Sequence, residues 1–98
     1  AASDVYKRQT RTMITNSSAP DAYPISCFTW IILYKEQAYA NRTLAQAQAT
    51  VKLLDWMLSP EAQALTTKVH YSPLPQTAVA NAKTLLNSIS FEGKQVLK

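Results

Sequence analysis

The stretch Asp21-Ala22-Tyr23-Pro24-Ile25-Ser26-Cys27-Phe28-Thr29-Trp30-Ile31-Ile32-Leu33-Tyr34-Lys35 decides how the rest of this chain is read. A polar entry and a proline lead into an uncharged run of aromatic, aliphatic and β-branched residues. Residues 27–34 have the length and composition of a strand buried on both faces, and the run is too short to cross a bilayer. Pro24 biases Tyr23 toward extended geometry and has no N–H to donate, so Tyr23-Pro24-Ile25 reads as the lead-in and the strand proper as about 27–35. A strand of this kind gives its N–H and C=O groups to neighbouring strands and its faces to helices. Nothing else in the sequence has comparable strand character. The run is therefore expected to belong to a sheet whose other members are encoded elsewhere, and on its own to leave an unpaired edge.

Working outward, the bulk composition fits one small folded unit. The 98 residues are 47% hydrophobic and 16% charged, which excludes the disordered and collagen-like classes. The ten basic residues outnumber six acids for a net charge of +4, but they stand singly apart from Lys7 and Arg8. No block resembles a tract that would follow a phosphate backbone, and no nucleic-acid partner is expected. Cys27 is the single cysteine, so an internal disulfide and a paired-cysteine metal site are both excluded.

The N-terminal residues Ala1-Ala2-Ser3-Asp4-Val5-Tyr6-Lys7-Arg8-Gln9 have neither helical nor strand periodicity. They resemble the translated end of a transposase adapter used in preparing sequencing libraries, and residues 1–9 are expected to be non-native. Without Lys7, Arg8 and Asp4, eight bases remain against five acids, a net +3. Residues 10–22 are polar, with the Asn, Ser and Pro content of a loop, and Met13 and Ile14 are placed to close a short strand or turn before it.

Downstream of the run, residues 36–42 read as a linker. Thr43 and Gln46 are spaced as a capping box, and Leu44, Ala47, Val51, Leu54 and Leu58 form one apolar stripe, which predicts a helix to about Leu58. Ser59-Pro60-Glu61 combines a capping hydroxyl, a proline suited to the first helical position and an acid suited to the helix N-terminus. It predicts a second, shorter helix to about Val69. Pro73 and Pro75 exclude regular helix over 70–75, and Pro75 is placed to begin a third, with Val79, Ala82, Leu86 and Ile89 as its stripe. Residues 90–98 hold the only glycine, Gly93, and read as a frayed tail.

Candidate chemistry is sparse. A nucleophilic hydrolase would have to combine Cys27 or a serine with the single histidine, His70, and with Asp55 or Asp21, and no elbow motif supports that set. The carboxylates stand singly, so no acid/base pair is evident. One glycine cannot build a phosphate-cradling loop. Helix starts at Thr43, Ser59 and Pro75 present free N–H groups, each with an ordinary capping explanation. No catalytic residue, metal ligand or cofactor is assigned.

Four ordered landmarks carry a resemblance: Asp21-Ala22-Tyr23-Pro24-Ile25-Ser26, the run from Phe28 to Lys35, Leu53-Leu54-Asp55-Trp56, and His70-Tyr71-Ser72-Pro73-Leu74-Pro75. Over roughly Thr10 to Leu97 the chain resembles the C-terminal part of the periplasmic phosphate-binding proteins of phosphate ABC transporters. The resemblance implies an α/β fold, the C-terminal part of one lobe of a type II periplasmic binding protein, with one main buried strand followed by three helices. It also implies that residues 10–98 are a C-terminal fragment of the solute-binding domain. Tyr23, Pro24, Ile25 and Ser26 would then form hinge and scaffold where the chain returns from the second lobe to the first. In that family the phosphate contacts lie in upstream segments, so no ligand-binding residue is carried over, and Arg11 and Asp21 are not assigned that role. The implied partners are inorganic phosphate, for the full-length protein only, and the inner-membrane permease. The implied location is the periplasm, with or without a lipid anchor.

Two other readings stay open on the residues alone. One is a free-standing small helical interaction module, using Trp56, Leu74 or the Tyr71 turn as a contact surface, with a native start near Met13. The other is a hydrolase dependent on His70 or Cys27.

Overall fold

The computed structural model describes residues 18–21 and 25–97. It divides into two compact units, Ala1–Leu33 and Tyr34–Lys98, and each is described by itself.

In the first unit, the apolar run does not form the buried strand expected of it. Residues 26–34 belong to no strand, and the backbone of residues 27–33 makes no hydrogen bond among the described residues. Ile31 is 55% exposed and Ile32 93%. The physical reason is the one that made the run conspicuous: a strand exists only with ladder partners, and none is available to residues 27–33 among the described residues. Phe28 and Trp30 retain an edge-to-face contact, with ring centroids 5.9 Å apart. The Met13 and Ile14 reading lies outside the described residues.

The second unit holds three helices, α1 (Leu44–Met57), α2 (Pro60–Thr66) and α3 (Gln76–Asn87), then a two-stranded hairpin of β1 (Ser90–Phe91) and β2 (Lys94–Gln95). Helix α1 begins with the capping box read from the sequence: Gln46 N donates to Thr43 Oγ1 at 3.2 Å and Thr43 N donates to Gln46 Oε1 at 3.0 Å. Helix α2 begins at Pro60 behind Ser59, whose hydroxyl accepts from Ala62 N, and ends in a 3-10 turn over Thr67–Val69. His70 then stops the helical path in the left-handed region at φ 62°. Pro75 is the cap of α3 rather than its first residue.

Helix α1 contacts both α2 and α3. The core is small: Ala47 and Val51 from α1, Leu86 and Ile89 from α3 and its exit, and Val96 after β2 are the buried apolar residues among those described. These are members of the stripes the sequence placed there, apart from Val96. Leu44, at the start of the α1 stripe, is 48% exposed, so the apolar face narrows toward the helix start.

The linker and the tail read from the sequence both turn out to be ordered parts of this unit. Residues 90–98 are not a frayed end: Phe91 and Lys94 flank a two-residue turn in which Glu92 (φ 50°) and Gly93 (φ 77°) have the positive φ signs of a type I′ hairpin. Residues 36–42 are not a loose connection either. Glu36 forms a parallel bridge with Ser90, Ser90 N donates to Lys35 O at 2.9 Å, and Gln37 N donates to Ser90 O at 2.8 Å. A parallel pairing requires a long crossover connection, and here the crossover is the three helices. Gln37 is 1% exposed and donates through Nε2 to Tyr34 O at 2.6 Å. A second turn with two positive φ values, Ala40 and Asn41, closes through Arg42 N to Tyr39 O.

Candidate functional site

Of the four hinge and scaffold residues expected from sequence, Tyr23 and Pro24 lie outside the described residues. Ile25 is 78% exposed and Ser26 is half-buried. Cys27 and His70 are exposed, and Asp55 lies 3.9 Å from Lys83 Nζ on the surface of the second unit. An exposed ion pair of this kind contributes little to stability. Among the described residues, no group of three or more His, Cys, Asp or Glu side chains is placed to hold a metal ion, and no helix is long and apolar enough to cross a membrane.

The densest polar constellation is one the sequence reading passed over. The Glu36 carboxylate accepts from Ser90 Oγ at 2.8 Å, Glu92 N at 2.8 Å, Ala38 N at 3.0 Å and, more loosely, Gly93 N at 3.4 Å. The parallel bridge delivers the side chain to β1, and the positive φ values at Glu92 and Gly93 turn two successive N–H groups toward it. The hydrogen bond from Ser90, then those from the backbone at Ala38 and Glu92, hold the carboxyl down at about 2 against an ordinary 4.5. A carboxylate held that low is ionised at neutral pH, a poor general base, and already supplied with donors. It acts as a clasp between the two ends of the second unit.

Glu36 was missed because it stands alone in sequence, and apart from Ala38 its partners are more than fifty positions away. The one local signal was Glu92-Gly93 between two short strand-forming pairs, a weaker form of the Asn-Gly hairpin signature.

Beside the clasp, Tyr34 and Tyr39 meet edge to face at 4.7 Å and the Arg42 guanidinium lies over the Tyr39 ring at 5.3 Å. Arg42 Nη2 also donates to Thr50 Oγ1 at 2.9 Å, tying the loop to α1. Gln37 Oε1 and Arg42 Nε are buried without a hydrogen-bond partner among the described residues. Each lowers the stability of an already small core.

The larger concavity, about 560 Å³, lies between α2 and α3 and is lined by residues including Leu58, Pro60, Leu74, Val79 and Lys83. Gln63, one of the amides that line it, is committed to the backbone: Nε2 donates to Met57 O at 2.8 Å and Oε1 accepts from Leu74 N at 2.7 Å. Gln63 thus fixes the double-proline turn rather than facing a ligand. A smaller hollow of about 310 Å³ lies between the start of α1 and the hairpin, bounded by Leu44, Gln48, Phe91 and Lys94. Neither concavity brings a nucleophile, base or metal-ligand set together. No protein-family model, curated protein or solved structure matches this chain.

Proposed function

We propose that this chain is the C-terminal part of the first lobe of the phosphate-binding component of an ABC importer, supplying scaffold and hinge rather than phosphate contacts. The observation that supports this reading is the parallel bridge between Glu36 and Ser90 across the three-helix crossover, at the downstream end of a run with the composition of a central strand. Parallel neighbours joined by a helical crossover are usual in α/β lobes, and in this reading residues 27–35 would be one strand and β1 its parallel neighbour. In this reading the donors that hold phosphate belong to upstream segments, the protein works in the periplasm, and its partner is the membrane permease. Oriented N–H donors at helix starts would hold the anion, and an acceptor carboxylate would select a protonated oxyanion over sulfate.

The test is calorimetry with phosphate and sulfate on two proteins: this chain alone, and the chain extended by its upstream reading frame. Phosphate binding by the extended protein only, without sulfate binding, is the expected result. Micromolar phosphate binding by this chain alone, or none by the extended protein, would overturn the reading.

A second reading, a small helical interaction module, is favoured by the other side of α1. Leu53 (57% exposed), Trp56 (51%) and Met57 (39%) cluster there at helical spacing. A native start near Met13 would favour this reading, and a longer upstream frame would favour the first.

A further inference from the structure

Residues 28–34, Phe-Thr-Trp-Ile-Ile-Leu-Tyr, combine three properties. They carry no charge, proline or glycine, and all but Leu33 are strong strand formers. Four of their large side chains stand in solvent, Trp30 at 47% exposure, Ile31 at 55%, Ile32 at 93% and Tyr34 at 68%, while Phe28 and Leu33 are half-buried. The backbone of residues 28–33 donates and accepts no hydrogen bond among the described residues. An apolar surface alone would fit a helix, a lipid or a small molecule. A surface that also presents a row of unpaired N–H and C=O groups fits another extended chain, because only a strand satisfies both the side chains and the main chain.

We infer that copies of this chain associate through this segment, each adding residues 28–34 as an antiparallel strand centred on Ile31. Charge sets the direction. Lys35 closes the segment at its C-terminal end, and the neighbouring carboxylate of Glu36 is taken up by the hairpin. A parallel, in-register pair would set Lys35 directly beside Lys35, where like charges repel. The antiparallel pair sets Lys35 opposite Cys27, away from the second copy's Lys35.

The same register stacks Phe28 on Tyr34 of the second copy and Trp30 on Ile32, the aromatic and β-branched cross-strand pairs that stabilise sheets. Phe28 and Trp30 already share an edge-to-face contact, as residues two apart on one face of a strand would. A two-stranded ribbon is marginal in water, and each strand has a second edge. Association therefore continues past the dimer.

Sedimentation of the full chain over a concentration series tests this, with infrared amide I spectra recorded on the same samples. The expected result is a weight-average mass rising from the 10.9 kDa monomer to beyond twice that value, with the antiparallel-sheet component growing in step. Ile31→Lys sets like charges together at the centre of the register and should hold the chain monomeric, while an equimolar mixture of Ile31→Lys and Ile31→Glu re-associates. Far-UV circular dichroism of the helices checks that each variant stays folded, since Ile31 is exposed in the chain. A mass that stays monomeric at every concentration overturns the inference, and so does undiminished association of Ile31→Lys. Mild oxidation tests direction: a Cys27–Cys27 disulfide within the assembled species overturns the antiparallel register, which keeps those thiols apart.

Discussion

The two regions with the strongest claims on the sheet, the run at 27–34 and the hairpin at 90–95, have exchanged the roles that their sequences suggest. The run has the composition of a buried strand and lies exposed, in no strand. The hairpin has two-residue strands and a Glu-Gly turn, yet it pairs, closes over Glu36 and leads into Val96, which is 4% exposed. Strand propensity describes fitness for a pleated, half-buried surface, and it is realised only where partners exist. The hairpin has its partner two residues away and a carboxylate to hold the turn. The run has neither within the described residues.

The comparison breaks most directly at Leu86. Buried at 6% exposure, it should lose about 2–5 kcal/mol of stability on replacement by alanine, enough to unfold much of so small a unit. Urea denaturation followed by far-UV circular dichroism measures the effect. A Leu86→Ala protein that melts like the parent would show that the helices do not share a core.

Next comes Gly93→Ala. A β-carbon there would meet nothing within 4 Å, so the cost is that of holding φ at +77° alone, roughly 1–2 kcal/mol. Ala40→Gly, at φ 50°, should shift stability the other way and by less, because glycine also loosens the unfolded chain. Both are read from the same urea curves.

Glu36→Gln sharpens the contrast through pH. The folded carboxyl titrates at about 2 and its ordinary value is 4.5, so its contribution is complete above 4.5 and is lost as pH falls from 4.5 toward 2. The parent should show falling urea midpoints through that window. Glu36→Gln should flatten this part of the profile and speed amide exchange at Glu92 and Gly93 near neutrality, the two N–H groups that face the carboxylate. An unchanged profile would remove Glu36 from the account of why the hairpin holds.

The smallest effect belongs to the run. Ile32→Ala, at a residue 93% exposed, should leave the monomer's stability within about 0.5 kcal/mol of the parent. A loss near that of Leu86→Ala would mean that the run is buried after all.

Legibility in the sequence followed the range of the interactions. The starts of α1 and α2 were readable because Thr43 with Gln46, and Ser59 with Pro60 and Glu61, act within one turn of helix. The stripes through Val51 and Leu86 were readable because the helical period repeats locally. The clasp was not, because Glu36 becomes informative only once it is paired with residues more than fifty positions on.

The sequence by itself determined where the helices begin, where Pro73 and Pro75 exclude them, which faces are apolar, and that residues 28–34 are fit for a strand. Tertiary structure alone decided that the Glu36 carboxylate meets the hairpin, that the supposed linker and tail pair with each other in parallel, and that residues 27–33 have no ladder partner among the described residues. Caps and periodicity are satisfied by neighbours a few residues away. Ladder hydrogen bonds and burial depend on groups distant in the chain, whose presence no local pattern records.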